Sequence, residues 1–142
     1  MLNIKGKNQF YNIQTFMNNN LKILISLKNA SMVRKETIVL KSPTKFVINL
    51  LIILYNEGLI QSFIFNEVTS TATVFLRYSY NKDIFKNLKI FSKATTLSYF
   101  TYSDICKLSN KRFLLVFSTS KGFLTGLECK KQHLGGKLCF IC

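Results

Sequence analysis

The chain has no tryptophan, one proline, one histidine and only 6 acidic residues in 142. Each shortage excludes something. A single histidine, His133, and a few scattered carboxylates leave little material for acid-base catalysis, so no enzyme is expected. No apolar run is long enough to cross a bilayer. The most apolar stretch, Phe46 to Tyr55, contains Asn49 and falls well short of the ~20 residues a spanning helix needs, so it reads as a buried helix. Residues 1–17 carry Lys5 and Lys7 and no acid. They lack both the unbroken apolar core of a secretion signal and the arginines of a transit peptide, so they read as an extension. There is no internal repeat and no low-complexity segment.

What is present is apolar residue and positive charge. Hydrophobic residues make up 48% of the chain, enough to build a core, while Lys and Arg number 20 against those 6 acids, for a formal charge of +14. The lysines are scattered singly among apolar residues instead of gathered in a tail, so the positive surface belongs to the folded body. A folded basic body points first to nucleic acid, whose phosphates release counterions when neutralised, and second to an anionic membrane surface. No basic amphipathic helix of the membrane-surface kind stands out. Lysine greatly outnumbers arginine, Asn, Ile, Phe and Tyr are abundant, and Ala and Pro are scarce. That bias is expected of a gene in an AT-rich genome, such as that of an organelle; a GC-rich coding sequence would remove this support.

Periodicity divides the chain into an extension (1–17), a first α+β half (18–81) and a second, mostly β half with short helices (82–142). Leu21, Leu24, Ile25 and Lys28 follow asparagines able to cap, which predicts a helix to about Asn29. Residues 36–40 read as a strand. A helix over 43–57 is expected, with Ser42 as N-cap, Pro43 at its first position and Gly58 just beyond its end. Strands at 59–65 and 72–80 flank a polar turn, and residues 81–87 read as a hinge. Short strands follow at 88–93, 97–101 and 112–117, with a weak helix near 103–109. Thr125 caps a short helix to about Gln132, and 137–142 ends as a strand.

Ser118, Thr119 and Ser120 stand in a row at the end of an apolar strand, followed by Lys121 and Gly122, and read as a loop. The plain alternative is an ordinary turn with a positive φ at Gly122. As a functional loop, three hydroxyls can bridge phosphates, 2′-hydroxyls and base edges while Lys121 supplies charge. Ser118 and Lys121 also make an S-x-x-K, the nucleophile and base spacing of penicillin-binding enzymes, but the S-D-N and K-T-G elements of such enzymes are missing. Lys45, near the third position of the 43–57 helix, sits where the helix dipole disfavours a cation by ~0.3–1 kcal/mol, unless an anion is shared there. Tyr99, Phe100 and Tyr102 alternate near Lys93 and Lys107, and one of them can stack on an unpaired base. Cys129, His133, Cys139 and Cys142 form C-x3-H-x5-C-x2-C, enough for tetrahedral zinc. A regular strand would turn Cys139 and Cys142 to opposite faces, so reduced, unliganded thiols are expected instead.

The segment VFSTSKGFLT, followed by LGGKLCFIC, resembles the C-terminal half of the bacterial-type small ribosomal subunit protein eight family. The hydroxyl loop, capped short helix and paired glycines before the last strand come in the same order. KSPTKFVINLLIILYNEGLIQSF is similar to the family's second helix, including the lysine matched by Lys45, and LKNA at 27–30 to the end of its first; the resemblance covers about 18–142.

That resemblance implies two α+β domains and a non-catalytic structural protein that binds a central-domain helix of small-subunit rRNA early in assembly. By matching position, Ser118, Thr119, Ser120 and Lys121 would meet the irregular core of that RNA helix, with Tyr99 near a base or backbone, Thr125 also among the RNA-binding residues, Gly135 and Gly136 shaping the last turn against the RNA, and Lys45 touching it from the first half. Partners would be the rRNA and neighbouring proteins of families five and seventeen, with no membrane, cofactor or homo-oligomer. The location would be the ribosome of the mitochondrial matrix, or else of a plastid or an AT-rich bacterium. Three positions depart from the family pattern. KATTLSY lacks the usual Pro-Gly and Arg before the tyrosine, Gly126 stands for an acid after Thr125, and Lys137 stands for an acid after the glycine pair.

Overall fold

The computed structural model describes residues 21–79, 84–91, 99–108 and 113–142. The expected extension, the start of the hinge, and KATTLSY up to residue 98 lie outside them. The fold is α+β, as expected.

Helix α1 is described over 21–32 and buries Leu21, Leu24, Leu27 and Ala30 along one stripe. It runs past Asn29 because nothing there offers a stop. The stop is Arg34, held at φ 54°, with its N–H donating to the Ser31 carbonyl and the Lys35 N–H to that of Ala30. Strand β1 (Thr37–Lys41) follows, then α2 (Lys45–Asn56).

The cap of α2 differs from expectation. Ser42 turns at φ 47° and donates its N–H to the Ser70 carbonyl at the end of the sheet, so the chain enters the helix two residues later. Thr44 is the N-cap, its hydroxyl accepting from the Val47 N–H at 3.4 Å, and Pro43 lies outside. Lys45 is therefore the first helical residue. Gly58 ends α2 at φ 72° as expected.

Strands β2 (Ile60–Asn66) and β3 (Thr71–Leu76) complete a three-stranded antiparallel sheet in the order β1-β3-β2. β3 stops at Leu76, short of the expected 80, because the next side chains turn to other work: the Arg77 guanidinium donates to the Gly58 carbonyl at 3.2 Å and the Tyr78 hydroxyl to that of Lys35.

The second sheet contains β4 (Lys89–Ile90), β5 (Tyr99–Phe100), β6 (Leu115–Thr119), β7 (Gly122–Thr125) and β8 (Gly136–Ile141). It is ordered β4-β8-β6-β7, with β5 pairing β8 beyond β4. A 3-10 turn (Ile84–Asn87) precedes β4, α3 (Tyr102–Leu108) follows β5, and α4 (Gly126–Lys131) follows β7. β7 was not anticipated, since its four residues lie between a turn and a helix, too few for periodicity to register.

β8 bulges opposite Val116 and Phe117, so Cys139 and Phe140 both enter one core while Leu138 and Ile141 serve the other. The first core joins α1, α2 and the first sheet to Phe85, Leu88, Val116, Phe123, Cys139 and Phe140 of the second half. The second gathers Ile105, Leu115, Phe117, Cys129 and Leu138 beneath α3 and α4. The Lys28 ammonium adds a tie to the Leu88 carbonyl at 3.1 Å. Among the described residues no helix is long and apolar enough to cross a membrane.

Thr125 begins α4 with a reciprocal cap. Its hydroxyl accepts from the Glu128 N–H at 3.3 Å while the Glu128 carboxylate accepts from the Thr125 N–H at 2.9 Å. Replacing Thr125 by Ala leaves the half-buried Glu128 N–H without its cap and is expected to lower stability by about 1 kcal/mol in urea unfolding; an unchanged midpoint would show that the cap contributes nothing.

Candidate nucleic-acid interface

The β6–β7 hairpin reorganises the expected loop. Ser118 and Thr119 are strand residues, and only Ser120 and Lys121 form the turn, closed by Gly122 at φ 108°. The Thr119 hydroxyl donates to the Gly122 carbonyl at 2.9 Å and accepts from the Lys121 N–H at 3.2 Å, so it holds the turn together. Alternation along the strand puts Ser118 on the side opposite Thr119, and Ser120 is exposed in the turn. Among the described residues neither serine hydroxyl has an internal partner. The three hydroxyls therefore divide into one that builds the hairpin and two that are available to a ligand.

The paired glycines permit a close approach. A Cβ at Gly135 would lie 2.8 Å from the Phe100 carbonyl and 3.1 Å from the Tyr99 hydroxyl; one at Gly136 would lie 2.7 Å from the Ser118 carbonyl and 3.0 Å from Thr119 Cγ2. Neither has room for a side chain. Their bareness lets β5 and β6 close onto the start of β8, which brings Tyr99 and Ser118 to either side of one strand.

The register makes a row of this. Tyr99 opposes Lys137, Lys137 opposes Ser118, and Ser118 opposes Phe123. Directly opposed residues share a face. Tyr99 is 67% exposed, so its ring is available for stacking. At the other end the Phe123 ring meets the edge of Phe46, centroids 6.1 Å apart, and Phe46 follows Lys45 at the exposed start of α2. Gly135 and Gly136 lie beneath Tyr99 and Ser118, and Thr125 is buried behind the hairpin, while Lys45 stands exposed at the start of α2. Lys137, which sequence reasoning noted only as a departure, lies in the middle of the row. Reading the last strand outward from the glycine pair with a period of two would have found it.

Beside this row the Tyr102 ring packs on His133 at 4.8 Å. His133 is the stop of α4, at φ 52°, with its N–H donating to the Lys130 carbonyl and the Leu134 N–H to that of Cys129. The supposed zinc set does not assemble: Cys129 is buried in the second core and His133 is exposed, while Cys139 and Cys142 both pack against the first core, since the β8 bulge overturns the alternation that was to set them on opposite faces. Burial pushes the Cys129 thiol up to about 11 and that of Cys139 up to about 12, so both stay protonated and unreactive at neutral pH. Among the described residues no group of three or more His, Cys, Asp or Glu could hold a metal. Ser118 and Lys121 share no hydrogen bond, so the S-x-x-K spacing does not assemble a nucleophile and its base.

The family described as Ribosomal protein S8 matches residues 21–142. The small ribosomal subunit protein uS8 of Stenotrophomonas maltophilia is 29% identical over 124 residues, 84% of this chain and 92% of that protein. That of Vesicomyosocius okutanii is 32% identical over 123 residues, with the same two coverages. The protein named uS8c of Oltmannsiellopsis viridis is 31% identical over 120 residues, 82% of this chain and 90% of that one.

Proposed function

From the premise that the chain belongs to the ribosomal protein S8 family, and so is a structural, non-enzymatic protein of the small ribosomal subunit, we propose that it binds a central-domain helix of small-subunit rRNA through the exposed part of its second sheet, around Tyr99, Lys137 and the β6–β7 turn, and helps that domain assemble. The observation that carries this reading is the row from Tyr99 to Ser118, which sets an exposed ring and an unpartnered hydroxyl beside a cation on one basic surface. RNA with splayed bases calls for stacking, hydroxyl contacts to sugar and phosphate, and positive charge at close quarters.

Each residue then has a task. Tyr99 stacks on an unpaired base, Ser118 and Ser120 contact sugar or phosphate oxygens, and Lys121 adds charge at the hairpin tip. Thr119 and Thr125 hold the scaffold, Gly135 and Gly136 admit close approach, and Lys45 reaches the RNA from α2. In this reading residues 18–81 form the domain that contributes Lys45, and residues 82–142 the one that carries the main site. Neighbours of families five and seventeen flank it in the subunit, and the compartment is the mitochondrial matrix.

Crosslinking in cells followed by sequencing of the attached RNA tests this directly. Reads are expected to concentrate in the central domain of small-subunit rRNA; reads spread over unrelated transcripts would sink the proposal. In vitro, Lys45→Gln should reduce the dependence of log affinity on log salt by about 0.7–0.9, one phosphate's worth. An unchanged slope would return Lys45 to solvent.

A further inference from the structure

The strand between Tyr99 and Ser118 presents a lysine to them both. Lys137 opposes Tyr99 across one ladder and Ser118 across the other. Strands in a sheet lie ~4.8 Å apart, so the three Cα atoms fall within about 10 Å. Lys137 is half-buried, as befits a long stem laid along a sheet with its charged head toward water. Among the described residues it has no carboxylate partner. Its positive field reaches the Cys139 thiol, which it draws downward against the larger upward push of burial.

An uncompensated cation in the middle of a sheet, on a chain of net charge +14, adds repulsion with no internal return. Its position has a use once an anion arrives. An ammonium with three donors on a flexible stem suits a phosphate oxygen, and it sits between a ring for a base and a hydroxyl for a sugar.

We propose that Lys137 neutralises one backbone phosphate of the bound RNA, at a point between a base stacked on Tyr99 and a ribose or phosphate oxygen held by Ser118. This rests on the rRNA reading above and adds to it a contact whose charge is opposite to the family pattern.

The test uses the full chain and a transcript of the central domain of small-subunit rRNA from the same genome, with affinity measured over a range of salt. Lys137→Gln is expected to reduce the slope of log affinity against log salt by about 0.7–0.9, which corresponds to a loss of about five- to eightfold at 0.1 M salt. Lys137→Arg should keep the slope, and Lys137→Glu should bind more weakly than Lys137→Gln. A slope for Lys137→Gln equal to that of the unmodified chain overturns the proposal.

A measurement on the unmodified protein guards against misfolded variants. The Lys137 amine should be shielded from acetylation when RNA is bound, and equal modification in free and bound protein also overturns the proposal. Failure of the underlying reading looks different: the unmodified chain would then bind this transcript no better than an unrelated duplex of equal length.

Discussion

Replacing Ser118 and Ser120 together by alanine is expected to weaken rRNA binding by about 3–6 kcal/mol, from two hydrogen bonds to charged or polar RNA oxygens at ~1.5–3 kcal/mol each. That is a loss of at least a hundredfold, since each ~1.4 kcal/mol is a factor of ten. The fold should be unaffected, because neither hydroxyl has a partner inside the protein among the described residues. The melting temperature should stay within a degree or two of the unmodified chain.

Thr119→Ala is the contrast. Its hydroxyl bonds to the Gly122 carbonyl and the Lys121 N–H, so its loss loosens the hairpin and lowers stability as well as affinity. A filter-binding or fluorescence titration beside a thermal melt separates the two outcomes. If the double serine variant binds as tightly as the unmodified chain, the hairpin is not the centre of the site.

The second large effect is at Gly136. An alanine methyl there would lie 2.7 Å from the Ser118 carbonyl, 3.0 Å from Thr119 Cγ2 and 3.3 Å from Phe117 Cβ. Two of the three are side-chain carbons attached directly to or next to the β6 backbone, and the nearest is the backbone itself, so no flexible chain end can swing aside. β8 cannot retreat either, being paired to β5 at this same residue and to β6 at the next. Overpacking of this kind costs ~1–3 kcal/mol.

For a chain of this size that is about 3–9 °C in melting temperature, at roughly 3 °C per kcal/mol. Affinity should fall too, since relief of the clash moves β6 at Ser118. Gly122→Ala is a control of a different kind: nothing lies within 4 Å of its Cβ, and its cost comes only from φ 108°. A Gly136→Ala variant that melts with the unmodified chain would mean that β6 and β8 part without penalty.

Local chemistry was legible wherever one residue type settles the conformation. Gly58 stops α2, Thr125 caps α4, and the spacing of Leu21 and Leu24 marks α1, although Ile25, read with them, is exposed and Leu27 is the next buried residue. The errors lie where a partner distant in sequence decides. Ser42 and Pro43 have every local qualification to start a helix, but Ser42 is held by Ser70, in the turn just before β3, so the start passes to Thr44. The run Ser118 to Ser120 has the composition of a loop. Pairing with β8 as far as Ser118 and with β7 as far as Thr119 extends the strand through Thr119.

By itself the sequence determined the class of fold, the positive surface, the helix stops and the segments rich in hydroxyls and glycine, since these follow from side-chain volume, charge and φ preference over a few residues. Only the tertiary structure decided that Tyr99, Lys137 and Ser118 form one row, and that the first core draws Phe123 and Phe140 from the second half to meet α2. Strand register depends on backbone ladders between residues far apart in sequence, and the bulge in β8 shifts that register by one residue, which local periodicity cannot anticipate.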